Sequence, residues 1–283
     1  MEFLKDFWRI LRADKTALVG GIVVLIYTLV AIFGHLFAHV SDLPAGGQAY
    51  LKPSGRHLLG TDFLGNDTLS ELVIGTRPVM IVGVVSAVIV IFVGVVVGLF
   101  SGYVGGFVDG LIMRVTDIFL TIPGLPLIIV IASIIHTTNP FVLAIILSVT
   151  AWAGLARAVR AQALSLRTSD FIDAAKVQNL PIGNLIGKQL LPNVGPFVAI
   201  NFLLAVTGAI YAQVGLFVLG VAPVSGTNWG IMINLAMNQG ALYTSKSMLY
   251  LFAPMGAIVL LQVALVYFSR ALDKLFNPRL RVQ

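Results

Sequence analysis

The chain has 283 residues, 58% apolar and only 11% charged, with a net charge of +6, a mean hydropathy of +0.97 and no cysteine. Soluble domains carry about 25% charged residues. So few charges cannot cover a soluble surface here, so much apolar content excludes disorder, and the absent thiols exclude disulfide frameworks and thiolate chemistry.

A membrane-spanning helix needs about 20 mostly apolar residues, and the sequence supplies six. Residues 1–16 come first and read as an amphipathic helix lying in the interface. Phe3, Leu4, Phe7, Trp8, Ile10 and Leu11 form its apolar face, with Lys5, Arg9, Arg12 and Lys15 toward the headgroups. The first span covers 17–38 and is longer than the apolar region of a cleaved signal, so it reads as an uncleaved helix. Residues 39–77 form a loop in which Asp67 caps a short helix. The second span, 79–101, carries Gly83, Gly94 and Gly98, with Gly102, Gly105 and Gly106 just beyond, a pattern of close helix packing.

The third span covers 111–135, with Pro123 and Pro126 expected to kink or unwind it. His136-Thr137-Thr138-Asn139-Pro140 is a turn signal, and a fourth span follows at 141–161. Residues 165–193 then read as a helix–turn–helix outside the membrane. Thr168, Ser169 and Asp170 are available as N-caps, and Pro181 ends the first helix. A fifth span covers 195–219. Val221 to Tyr243 is too broken for a span and reads as a re-entrant or capping loop. A sixth covers 248–269, and 271–283 form a tail. The expected fold is an all-α polytopic membrane protein with a five-helix core over 78–270. With the N-terminus inside, the inner segments hold 14 of the 18 basic residues and the outer segments 4, which orients both termini toward the cytoplasm.

No catalytic set stands out. His35, His39, His57 and His136 are scattered, no spacing suits a metal, and there is no phosphate-binding Gly-x-x-x-x-Gly-Lys loop, so any ATP-driven process would need another chain to bind the ATP. Ionisable residues are nearly absent from the spans. Arg114 and Asp117 stand near the start of the third, on the inner side, and the scarcity of charge elsewhere counts against a stand-alone secondary transporter working through intramembrane charges. Thr150, Asn201, Thr207, Tyr211, Gln213, Asn234 and Asn238 are polar candidates for lining a solute path, or for hydrogen bonds between helices.

Five segments in order resemble one family. Asp173-Ala174-Ala175, with Leu190-Leu191-Pro192-Asn193, resembles the EAA loop of permeases of binding-protein-dependent ABC importers. The run from His57 through Gly60-Thr61-Asp62 to Asp67 and Ser70 resembles that family's H-x-L-G-T-D-x-x-G-R-D-x-x-S. Ser101 to Gly106 with Met113-Arg114, Asp117 and Pro123, then Leu219-Gly220 to Trp229-Gly230, and finally Asn277-Pro278-Arg279-Leu280, resemble three further stretches of it. The chain is similar to the C-type permeases of the dipeptide/oligopeptide/nickel class, with Asn66, Asp173 and Asn179 where the family has Arg, Glu and Gly.

The resemblance implies a type I importer permease without catalytic activity or a cofactor of its own, in the cell membrane of a bacterium or archaeon. Its partners would be a second permease, two ATPase domains that bind ATP and Mg, an extracytoplasmic solute-binding protein and membrane lipid, with no nucleic acid. Phe171, Asp173, Ala174, Ala175, Lys176, Asn179, Leu180 and Pro181 would be the coupling contacts. The implied cargo is peptides, with oligosaccharides or nickel as alternatives.

Overall fold

The computed structural model describes residues 14–38, 48–223, 225–241 and 248–276. Most of the expected interfacial helix and the end of the tail, 277–283, lie outside the described residues, as does the side chain of Lys176. Among the described residues there is no strand, only an isolated bridge between Thr61 and Asp67.

Helix α1 (Lys15–Phe33) begins on Asp14, whose carboxylate accepts the backbone N–H groups of Thr16 and Ala17 at 3.0 and 3.2 Å. Gly20 lets α1 lie against the last helix: a Cβ there would stand 2.7 Å from the Ala264 carbonyl oxygen. Helix α2 (Thr68–Val104) has 37 residues, so it is ~56 Å long against ~30 Å of hydrocarbon. The short helix expected at Asp67 and the separate span expected at 79–101 are therefore one rod. Pro78 removes a backbone donor, which ordinarily costs about 3 kcal/mol within a helix. The rod is nonetheless continuous, and its preceding turn is splinted: the fully buried Trp229 packs at Gly75 and donates its indole N–H to the Leu72 carbonyl at 3.0 Å.

The third span differs from the single helix expected over 111–135. It is two helices, α3 (Gly106–Thr121) and α4 (Gly124–Ile135), bent by 80°. The cause is local. Ile122 precedes Pro123, and the proline ring drives the preceding residue out of helical conformation; Ile122 is extended at φ −79, ψ 123.

Helix α5 (Pro140–Leu166) starts on an Asn139 cap and runs along α2. Gly94, Gly98 and Gly102 recur every fourth residue on α2 and receive Leu155, Ala156, Val159 and Ala163 of α5. A Cβ on Gly98 would meet the Ala156 carbonyl oxygen at 2.5 Å. Then come α6 (Asp170–Val177), a helical turn at Ile182–Asn184, a π-helical segment at Leu185–Leu190, and α7 (Leu191–Val218). The broken stretch after it does not span; it holds a short buried helix, α8 (Trp229–Asn238), wedged among α2, α7 and α9 (Met248–Phe276). Among the described residues, five helices are long and apolar enough to cross a membrane, and the bent α3–α4 pair, counted as one broken span, is the sixth.

Candidate functional site

Helix α6 is built to be exposed yet fixed. Leu166 and Ser169 turn the chain at its start: the Leu166 carbonyl accepts both the backbone N–H (3.0 Å) and the hydroxyl (2.5 Å) of Ser169. Its eight residues bury Ile172 and Ala175. Ile172 enters a core with Leu99 of α2, Val159 and Ala163 of α5, Leu190 and Val194. Phe171, Asp173, Ala174 and Val177 face outward, Val177 being 83% exposed. Asn179 adopts the left-handed conformation (φ 52), and the Leu180 N–H reaches back to the Ala175 carbonyl at 3.4 Å. This is the Schellman closure that usually takes glycine; asparagine fills the position here. Pro181 is exposed and caps the next turn, while Leu180 is half-buried. The eight residues singled out from sequence thus divide: Ala175 turns into the protein, and Phe171, Asp173, Ala174, Asn179 and Pro181 present a surface.

At the opposite end of α2, the residues from His57 to Ser70 bond largely to one another. Asp67 accepts the Ser70 N–H and hydroxyl at 2.8 and 2.9 Å and meets His57 Nδ1 at 3.0 Å. Asp62 accepts the N–H groups of Leu64 and Asn66 at 2.8 and 2.7 Å, and the Asn66 amide at 3.2 Å. Burial and the neighbouring Asp62 push the Tyr50 phenol up from its ordinary value. The arrangement is a folded cap on α2.

Two ion pairs join α3 to α5. Arg160 clasps the buried Asp109 with two bonds of 2.6 and 2.5 Å. Arg157 pairs with Asp117. Pairs of this kind, 51 and 40 residues apart, carry no local sequence signal. Their only trace in the sequence was opposite charges at the edges of two apolar runs.

A cavity of about 410 Å³ opens between α2, α4, α5 and α7, lined by Ser86, Gly124, Ile128, Thr150, Leu155 and Asn201 among others. Of the seven polar candidates for a path, Thr150 and Asn201 line it. Tyr211 is exposed one turn beyond the lining Gly208. Thr207 is half-buried, with its carbonyl 3.5 Å from the Gln262 amide. Gln213 is buried on a separate small cavity with Asn228, and Asn238 donates to Asn234, which donates to the Val218 carbonyl. The other five do not converge on it, because they fall on other faces of α7 and on α8. Among the described residues, no group of three or more His, Asp or Glu side chains could hold a metal.

Two family profiles match this chain. One, described as the binding-protein-dependent transport system inner membrane component, covers residues 94–282; the other, the N-terminal TM domain of oligopeptide transport permease C, covers 2–53. The dipeptide transport system permease protein DppC of Bacillus subtilis (strain 168) is 30% identical over 285 residues, covering 99% of this chain and 87% of the relative. The oligopeptide transport system permease protein OppC of Lactococcus lactis subsp. lactis (strain IL1403) is 30% identical over 275 residues, 95% of this chain and 92% of the relative. A putative peptide permease protein of Brucella suis biovar 1 is 31% identical over 239 residues, 84% and 77% respectively. With its six spans and its short exposed helix between the fourth and fifth, the chain belongs to the family of binding-protein-dependent transport system inner membrane components.

Proposed function

We propose that this chain is half of the translocation pathway of an ATP-driven importer, taking di- and oligopeptides from a solute-binding protein. One observation carries the reading: an exposed eight-residue helix is bolted through Ile172 to the ends of α2, α5 and α7, so a push on it moves the spans. Family membership supports the same reading. The names of the relatives, peptide permeases all, favour peptides over oligosaccharides.

In this reading the basic-residue bias places α6 and both termini in the cytoplasm. The partner ATPase grips Phe171, Asp173, Ala174, Lys176, Asn179 and Pro181, while Ile172 and Ala175 hold the helix to its own subunit and Leu180 closes its end. Two ATPase domains hold ATP and Mg, a second permease completes the path, and the solute-binding protein docks near the folded loop ahead of α2. ATP binding draws the ATPases together, α6 follows, and the spans rock about the central cavity.

The test is to extract the tagged chain gently from its native membrane and identify its companions by mass spectrometry, in wild type and in Ala174→Trp. Wild type is expected to bring two ATPase domains and a second permease, and the variant to lose the ATPases while remaining folded. A wild-type chain that emerges alone, or a variant that keeps both ATPases and transport, overturns the assignment.

A further inference from the structure

The pair Asp117–Arg157 is placed where a charge pair is costly unless water or a polar partner reaches it. Helix α5 has 27 residues and is ~40 Å long, about 10 Å more than the hydrocarbon layer. Arg157 stands nine residues, ~14 Å, before its end at Leu166. Even if all the excess projects at that end, Arg157 remains ~4 Å inside the apolar layer. Both side chains are nonetheless about half exposed on this chain, 56% for Arg157 and 53% for Asp117. An arginine at this depth either reaches up to the interface or faces a bundle interior or a wet path, not lipid tails.

The cavity supplies the path. Thr150, Gly154 and Arg157 follow one another on a single stripe of α5, spaced four and three residues apart. Thr150 lines the cavity together with Gly124, the first residue of α4, and a Cβ on Gly124 would lie 3.4 Å from the Thr150 hydroxyl. Asp117 precedes Gly124 by seven residues, and Arg157 follows Thr150 by the same number. The ion pair therefore stands about two turns of α5 from Thr150, toward the α6 end and across the Ile122–Pro123 break, outside the cavity lining itself. Arg114, one turn before Asp117, is also exposed.

We propose that Asp117 and Arg157 form a charged station in the permeation path, where the pair parts to hold the ammonium and carboxylate ends of a peptide in transit. The identity of the solute rests on the peptide reading above; the position of the station does not. A free peptide carries one charge of each sign, and exchanging one ion pair for two leaves no charge unpaired at any moment, which lowers the cost of moving a zwitterion through a low-dielectric constriction.

The absence of cysteine makes the test direct. Gly154→Cys has open space around its Cβ, and Leu25→Cys on the exposed face of α1 serves as a lipid-facing reference. Both are labelled in native membrane vesicles of either sidedness, with cationic and anionic methanethiosulfonates, and labelling is read on this chain alone. Gly154→Cys is expected to react at least about tenfold faster than Leu25→Cys. Adding Asp117→Asn leaves Arg157 unpaired and is expected to raise the anionic-to-cationic rate ratio about tenfold. Labelling no faster than at Leu25→Cys puts the pair in lipid or beneath the partner permease and overturns the path; an unchanged ratio overturns the electrostatic role. Millimolar trialanine is expected to slow labelling, while its acetylated, amidated form does not. Equal protection, or none, overturns the binding of peptide ends. None of these outcomes bears on the ATPase assignment, which co-purification decides.

Discussion

At the scale of single residues, backbone conformation and close approach set the sharpest constraints. Asn179 holds the left-handed turn that ends α6. Asn179→Gly is expected to leave stability unchanged or slightly raised, whereas Asn179→Val is expected to cost about 1–2 kcal/mol, because a β-branched side chain meets the following carbonyl there. Thermal unfolding of the purified chain in detergent would read both. Gly98 has no room at all: Gly98→Leu forces α2 and α5 apart at the Ala156 carbonyl. Overpacking of that kind costs about 1–3 kcal/mol, so the same measurement should show a clearly lower midpoint, with Gly154→Ala as the near-neutral comparison.

At the scale of elements, the elbow between α3 and α4 depends on being held from outside. Asp109 is buried with Arg160 as its clasp. Removing one member of such a pair leaves a charge uncompensated and typically costs 3–5 kcal/mol, so Asp109→Ala should abolish stable expression. The exchange Asp109→Arg with Arg160→Asp should recover part of it; no recovery would mean that packing, not charge, holds α3. The glycine spacing on α2, the turn before Pro140 and the end of α6 ahead of Pro181 were all legible in the sequence, because each is a local signal. The continuity of α2 through Pro78 was not, since the Trp229 ring that splints it lies 157 residues beyond Leu72. Neither were the clasps on α3, which exist only once α3 crosses α5. For the candidate site, the exposed surface of α6 was readable, but the inward turn of Ala175 needed the core around Ile172. The cavity was readable only at Asn201 and Thr150, because four helices meet to make it.

At the scale of the whole molecule, the start of the first helix is tied to the end of the last by an ion pair. Lys274 donates to Asp14 at 2.7 Å, and Asp14 also accepts from Thr16 and Ala17. The Lys274 ammonium, with those further donors, holds the Asp14 carboxyl well below its ordinary value of 3.8. A depressed native value means that the tie stabilises fully above the ordinary value and is lost as pH falls below it. Asp14→Asn is therefore expected to lower the unfolding midpoint at pH 7 and equally at pH 5, with the difference from wild type shrinking below pH 3.8. A penalty independent of pH would assign the effect to helix capping alone.

The unbroken length of α2 has a consequence for what the subunit can signal. One end of the rod carries the cap made by Asp67 and His57; the other supplies Leu99 to the pocket that grips Ile172. With no joint between them, these two addresses share one set of rigid-body coordinates. In the importer reading proposed above, a docking event at one end and a nucleotide event at the other would then be not two messages relayed in series but a single displacement. The jointed α3–α4 pair, beside the cavity, is left as the part free to answer differently.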